Sequence, residues 1–243
     1  MPLYRDVGVV VRTHKLGETD RIVTIITQES GKVRAVAKGV RKPGSRFGSR
    51  LEPMSHVALQ CYRGRELDIV NQVELVEVAT NIRASLEGTT DGLAMCEVAE
   101  QLAHDREPAP HLYRMLVGAL RQLDARYSPL VLPAVQLRLL QAEGVGPCVD
   151  CCVVCGSTQD LCALDVAAGG VLCRAHRRGT GAAPAVIAVV QQILDGKVSA
   201  VLARTDLPAE TVAEVTVYAR AATEHHLERR IRSSSLFETP RTG

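Results

Sequence analysis

The sequence has very few aromatic residues. Its 243 residues include no tryptophan, two phenylalanines and five tyrosines. Proteins that bind single-stranded nucleic acid commonly stack the bases on aromatic side chains. In the first eighty residues only Tyr4, Phe47 and Tyr62 could serve in this way. Any nucleic-acid binding is therefore expected to use mainly phosphate contacts, to accept single and double strands, and to show little sequence preference.

Long apolar runs are also missing. The longest lies near AAPAVIAVV, residues 182–190, and the start, MPLYRDVGVVVRTHK, lacks the pattern of a signal peptide. We therefore expect a cytoplasmic protein that is neither secreted nor inserted in a membrane. Walker, HExxH, GxSxG and Rossmann glycine motifs are absent as well. Without a nucleotide site or a paired base and nucleophile, the sequence predicts that the protein is not an enzyme.

Acidic residues are missing from one stretch of an otherwise balanced chain. The formal net charge is only +2, but residues 31–50, GKVRAVAKGVRKPGSRFGSR, contain no acidic residue. We call residues 31–50 the basic segment. Such a surface suits a phosphate backbone, and its alternating strand places cations on the solvent face. The predicted contacts are Lys32, Arg34, Lys38, Arg41, Lys42, Arg46 and Arg50.

Residues 1–80 have the period of β-strands. Five short β-branched runs are bounded by turn residues: VGVVVRTH, RIVTIIT, KVRAVAKG, HVALQCYRG and ELDIVNQVEL. Five strands in this length fit a small closed barrel of the oligonucleotide-binding type, whereas a sandwich usually needs more strands.

Residues 81–243 change to the period of helices. Five helices are predicted, at 89–105, 110–127, 129–144, 184–196 and 208–233, with Thr90 or Asp91 as the cap of the first. Cys61 and Cys96 lie on apolar faces and are expected in the core. The fold class is therefore α+β and multidomain: a barrel at 1–80, then an all-α domain at 81–243 with an insert at about 146–179.

The insert holds six of the eight cysteines, between Cys148 and Cys173. Because thiols stay reduced in the cytosol, this density indicates a metal rather than disulfides. One structural zinc ion is predicted, bound by two knuckles: Cys152 with Cys155, followed by a glycine, and Cys173 with His176. The register stays open, because the sequence also offers Cys148, Cys151 and Cys162.

Two other kinds of cysteine cluster are weighed against structural zinc. A redox centre of the dithiol type would need a CxxC pair at the start of a helix in a βαβ setting, which the insert lacks. A catalytic zinc would need an open position and a nearby base, for which only Asp150, Asp160 and Asp165 are close in sequence.

Four stretches together resemble the RecO family of bacterial recombination mediators. They are YRDVGVVVRTHKLGETDRIVTIIT, KGVRKPGSRFGSRLEPMSHVALQCYRGRELDIV, the knuckle CVVCG followed by AAGGVLC, and HHLERRIRSS. The resemblance covers nearly the whole chain in order. It implies an oligonucleotide-binding barrel, a helical domain with a zinc insert, and a role in DNA repair and homologous recombination.

The resemblance further implies binding of DNA, annealing of complementary strands, and help in loading recombinase onto strands coated by single-strand-binding protein. Implied partners are RecR and the acidic C-terminal tail of single-strand-binding protein, with action at the nucleoid. The resemblance places the family's basic barrel surface and its metal knuckles on the residues already named. Cations at Arg229, Arg230 and Arg232 would attract acidic peptide or phosphate. The alternatives are a nonspecific zinc-containing scaffold, a transcription-associated protein and a metal-dependent nuclease.

Overall fold

The first five strands form a closed barrel in the computed structural model, which describes residues 2–179 and 181–233. The strand order is β1-β2-β3-β5-β4, and β1 pairs with β4 to complete the circle. Neighbouring strands are antiparallel except β3 and β5, which are parallel. The predicted five-stranded barrel is confirmed. The strands are β1 Leu3–Leu16, β2 Asp20–Thr27, β3 Gly31–Ala37, β4 His56–Tyr62 and β5 Asp68–Glu77.

The barrel interior is filled by the alternate apolar residues of the five strands. Val10, Ile25 and Ala35 are among the side chains with no exposed surface. Val, Ile and Thr favour strands because their branched side chains pack well on a pleated surface. The register of β1 with β2 shifts between Val10 and Arg12, and such a bulge bends a long strand. That bend suits a 14-residue strand that pairs with two neighbours.

Two helices belong to the same compact unit as the barrel, which comprises residues 2–127 and 232–233 of the described chain. They are α1 Leu86–Leu102 and α2 Pro110–Ala125. The first begins earlier than predicted, because the Ser85 side chain accepts a hydrogen bond from the Gly88 N–H at 3.0 Å and caps it. Thr90 and Asp91 therefore lie inside the helix, and their predicted capping role is wrong.

The start of β3 lies tightly against the segment that joins α1 to α2. Gly31 has a φ of +69°, and a Cβ atom there would lie 1.9 Å from the Glu107 carbonyl oxygen. Arg106 N–H also donates to the Lys32 carbonyl at 2.9 Å. Only glycine fits this position, because both the backbone conformation and the space exclude a side chain.

A buried carboxylate on α1 holds the end of the described chain. Glu97 is 6% exposed and accepts hydrogen bonds from the Arg232 N–H (3.0 Å), the Ser233 N–H (2.8 Å) and the Ser233 hydroxyl (2.6 Å). Burial raises the pKa of Glu97, but these donors together outweigh burial and lower it. Residues 232–233 are thereby fixed to the unit that contains the barrel.

Residues 128–231 form the second compact unit. Its core contains Leu137, Val189, Ile193 and Val215, which are fully buried. The last helix ends at Leu227, because Glu228 adopts a left-handed conformation with φ +51°. The prediction of a helix through residue 233 is therefore wrong. The helices of this unit are α3 Val131–Ala142, α4 Pro184–Leu194, α5 Val198–Leu202 and α6 Ala209–Leu227.

The insert between α3 and α4 contains a two-stranded hairpin, β6 Leu161–Asp165 and β7 Gly170–Cys173. A short 3-10 helix, Arg174–His176, follows β7 directly. The predicted division into domains at residue 80 stays a prediction, and residues 234–243 of its second domain lie outside the described residues. Within residues 2–179 and 181–233, no helix has the length and apolar character needed to cross a membrane.

Candidate nucleic-acid interface and metal centre

The strand part of the basic segment presents one free cation and one paired cation. Arg34 is exposed on β3, between the buried residues Val33 and Ala35. Lys32 has the same orientation in the pleat, but its side chain is only 19% exposed. It forms an ion pair with Asp105 at 3.2 Å. Lys32 was predicted on a solvent face together with Arg34; the structure instead places its side chain mostly buried and paired with Asp105, while its contact with DNA stays a prediction.

The loop after β3 carries cations that donate hydrogen bonds to neutral carbonyl groups, so that no carboxylate offsets their positive charge. The Arg41 guanidinium donates to the Glu18 carbonyl at 2.9 Å, and Arg50 donates to the Arg46 carbonyl at 2.6 Å. Among residues 2–179 and 181–233, no carboxylate lies within 4 Å of the following exposed cations: Arg34, Lys38, Arg41, Lys42, Arg46 and Arg50. We call these six residues the free cations.

A carboxylate at the start of β2 holds the beginning of this loop. Asp20 accepts hydrogen bonds from the Gly39 N–H at 2.7 Å and from the Thr19 hydroxyl at 2.9 Å. These donors, and then the nearby charges of Lys38 and Lys42, lower the pKa of Asp20. The loop is therefore attached to the turn between β1 and β2, and its cations are held beside that turn.

Two of the three aromatic residues proposed for base stacking are engaged elsewhere. Phe47 is 1% exposed and lies in the barrel core, with the Arg46 guanidinium 4.9 Å from its ring centre. The prediction that Phe47 is available to a base is wrong. Tyr4 carries the Arg63 guanidinium 5.0 Å from its ring centre. Tyr62, at the end of β4, is 37% exposed.

The loop between β4 and β5 adds two exposed cations that the sequence-based assignment missed, Arg63 and Arg65. The buried carboxylate of Asp68 organises this loop: it accepts from the Gly64 N–H at 2.9 Å and from the Tyr4 hydroxyl at 2.5 Å. In oligonucleotide-binding barrels, the β1–β2 and β4–β5 loops flank the binding strands. The sequence RGR at residues 63–65, at the end of the fourth predicted strand, was the signal that could have identified these two arginines.

Four side chains of the insert converge on one point. The candidate ligand atoms of Cys152, Cys155, Cys173 and His176 all lie within 4.8 Å of one another. The Cys155 and Cys173 sulfurs are 3.8 Å apart, and the Cys173 sulfur is 3.4 Å from His176 Nδ1. Ligands about 2.3 Å from a tetrahedral zinc would be about 3.8 Å apart. This group could hold a metal ion, and it consists of the four residues that the sequence favours.

Backbone contacts bring the two knuckles together. Gly156 has a φ of +74° and donates its N–H to the Cys152 carbonyl at 2.8 Å, which closes the first knuckle. Gly170, at the start of β7, lies so close to Cys148 that a Cβ atom would be 2.0 Å from the Cys148 carbonyl oxygen. The chain before the first knuckle therefore pairs directly with the strand that leads to the second.

The thiols of the first knuckle have unequal acidity. The Cys173 backbone N–H, followed by those of Val154 and Cys155, lowers the pKa of Cys152 to about 6. At Cys155 the net effect is the opposite. The Ser157 N–H lowers the pKa of this thiol, but burial and the neighbouring thiols together raise it. The lowered pKa favours the thiolate form of Cys152, and the thiolate is the form that binds metal.

The carboxylates of the insert do not enter the cluster. Asp150 accepts from the Gln191 side chain at 2.9 Å, and Asp165 accepts from the Ala168 N–H at 2.8 Å. No carboxylate is part of the ligand group within the described residues. Cys61 and Cys96, outside the insert, are fully buried, which confirms their predicted place in the core.

The cations near the end of the chain lie beyond the last helix. Arg229 and Arg230 are exposed and follow Glu228, where α6 stops. Arg232 donates its N–H to Glu97. These three residues were expected on the last helix, and the left-handed conformation at Glu228 instead places them in the segment that follows it.

Comparison with protein-family models covers almost the whole chain. The family model described as recombination protein O N terminal matches residues 1–79. The model described as recombination protein O C terminal matches residues 83–235. The first match contains the barrel, and the second contains the helices and the insert with its four candidate ligands.

Proposed function

This chain belongs to the recombination protein O family, which binds DNA in recombination and repair, and from this premise we propose that it anneals complementary strands and assists recombinase loading. The strands would be single strands coated by single-strand-binding protein. The observation that carries the proposal is the set of free cations on β3 and the following loop of an oligonucleotide-binding barrel.

The proposed DNA surface combines the free cations with the loop cations Arg63 and Arg65. Phosphate contacts position DNA without reading its sequence. Because Phe47 is buried and Tyr4 is covered by Arg63, only Tyr62 of the three barrel aromatics is left for stacking, which would contribute little. Both single and double strands are therefore proposed ligands.

Annealing would follow from charge neutralisation. Two complementary strands repel each other through their phosphates, and cations that contact both strands lower this repulsion. Base pairing then supplies the specificity, so that no bond is broken and no nucleotide is hydrolysed. The proposed activity consequently requires no catalytic residue.

Cys152, Cys155, Cys173 and His176 are proposed to hold one zinc ion. Three thiolates and one imidazole form a closed donor set of the kind found in structural sites. A bound zinc ion would cross-link the two knuckles and would have no catalytic role. Cys152 and Cys173 are buried beside Leu172 and Ala163, so that the metal would stabilise the local core of the insert.

Two protein partners are proposed, RecR and the acidic C-terminal tail of single-strand-binding protein. The exposed cations Arg229 and Arg230 have the charge that an acidic tail would require. The nucleoid, within the cytoplasm, is the proposed place of action because the substrate is DNA.

Strand annealing tests the central proposal. Two complementary labelled oligonucleotides are coated with the cognate single-strand-binding protein, and duplex formation is followed without nucleotide over a salt series. We expect the protein to accelerate annealing, and the acceleration to fade as salt rises. The triple variant R41A, K42A, R46A should lose most of it. No acceleration by folded, zinc-loaded protein would reject the annealing role, and equal loss in a variant that lacks three cations elsewhere would reject the proposed surface.

A further inference from the structure

One pair of cysteines has no role in the core or in the metal cluster. None of the eight cysteines is part of a disulfide in the structure. Cys61 and Cys96 are buried in the first unit, and three others belong to the candidate metal centre. Of the three that remain, Cys162 stands alone in β6, and Cys148 and Cys151, separated by two residues, form a second CxxC pair. Cys148 is exposed and Cys151 is partly exposed.

The side chains of this pair are in contact. The Cys148 thiol lies 3.9 Å from the Cys151 carbonyl oxygen, and the two side chains are close enough to interact. The backbone of Cys148 is fixed on both sides: its N–H donates to the Gly169 carbonyl at 3.0 Å, and its carbonyl accepts from the Val171 N–H at 2.8 Å. Two thiols are thus held together at a position that small molecules can reach.

A metal does not explain the pair. A stable zinc site needs at least three protein ligands. In the described part of the chain, the candidate metal centre is the only group of three or more such residues, and neither Cys148 nor Cys151 belongs to it. The intervening Asp150 accepts a hydrogen bond from the Gln191 side chain. The remaining chemistry of two adjacent accessible thiols is oxidation to a disulfide.

We propose that Cys148 and Cys151, although they lack the helix-start setting of a dithiol oxidoreductase, form a redox-active dithiol that reacts with low-molecular-weight disulfides. The exposed Cys148 thiolate attacks one sulfur of the small disulfide, breaks its S–S bond and releases one small thiol. The Cys151 thiolate then attacks the Cys148 sulfur of the mixed disulfide and releases the second small thiol. One disulfide forms and one is reduced. The two protons of the protein thiols end on the released thiols.

The new bond would form beside the metal centre without using its ligands. Cys151 is followed directly by Cys152, so that the disulfide would cross-link the chain just before the first knuckle. Because the proposal rests only on these two thiols, it is independent of the DNA-binding role.

The test uses the zinc-loaded full chain in buffers with rising ratios of oxidised to reduced glutathione. After acid quenching and alkylation, the protein is cleaved on the amino side of aspartate. This cleavage separates Cys148 from Cys151, because Asp150 lies between them. We expect the two fragments to stay linked by one disulfide in oxidising buffer, and the zinc content to be unchanged.

Three variants decide which thiols react. C148S should abolish the linked fragments, and C151S should trap a glutathione mixed disulfide on Cys148. C162S, which removes another partly exposed cysteine of the insert, is the matched control and should behave as the parent. Fragments that never link, or that still link in C151S through another cysteine, overturn the proposal. Loss of zinc from C148S or C151S with the fold retained also overturns it, since these residues would then be metal ligands.

Discussion

Removing cations from the loop after β3 should lower the salt dependence of DNA binding by a predictable amount. The variant R41A, K42A, R46A loses three of the six free cations. For single strands, the logarithm of affinity falls with the logarithm of salt concentration by about 0.7 per phosphate contacted. If each of the eight cations of the proposed surface, the six free cations with Arg63 and Arg65, contacts one phosphate, the slope is about −5.6 for the parent and about −3.5 for the variant.

These slopes give a large measurable difference. Between 50 and 200 mM salt, the parent should lose about 2,000-fold in affinity and the variant about 130-fold. The assay is fluorescence anisotropy of a labelled oligonucleotide, repeated with an unrelated sequence to test for equal affinity. The matched control is R114A, R126A, R178A, which removes three exposed cations outside the basic segment and should keep the parent slope.

Lys32 gives a second control within the basic segment. Because Asp105 already neutralises it, K32A should leave the slope unchanged even though it removes a cation from the same strand. An unchanged slope in the triple variant, or an equal fall in the control triple variant, would refute the assignment of DNA contacts to this loop.

Further predictions concern the stability of each unit. Removing the metal with a chelator, or substituting C173S, should lower the melting temperature of the second unit by about 4–8 °C for each kcal/mol lost, with the barrel's DNA affinity retained. E97A should cost about 2–4 kcal/mol and speed amide exchange at residues 232–233, which a denaturation series and hydrogen exchange would measure. Since the pKa of Glu97 is lowered on folding, its contribution is present above the unfolded value of about 4.3 and should disappear as the pH falls through the folded value. G31A should destabilise by at least about 1–3 kcal/mol, whereas G118A, at an exposed helix position with open space, should stabilise by about 0.4–1 kcal/mol.

Features with a local cause were predictable from the sequence. The strands of the barrel could be predicted because a strand with one face in the core has an apolar residue at every second position. The metal ligands lie in two short motifs, and Gly156 after the first motif permits its left-handed turn. The short spacing within each motif explains why the favoured ligands meet in the structure.

Features that depend on distant residues were not predictable. Lys32 is neutralised by Asp105 and Phe47 is buried by the strands around it, and neither partner is adjacent in sequence. The end of α6 was missed for a different reason. The residues after Leu227 continue a helical pattern, and the donor groups at 231–233 are instead bound by Glu224 and Glu97.

The hydrogen bonds that Glu97 accepts impose an order on biosynthesis. The first unit contains residues near the start of the chain and residues 232–233, so the ribosome must make the whole second unit before the first can be completed. Since domains generally fold as they emerge, the barrel and α1 would wait with an incompletely bonded carboxylate while residues 128–231 are translated. A chain that ended before residue 232 would lack these donors permanently, although every strand of the barrel would be present.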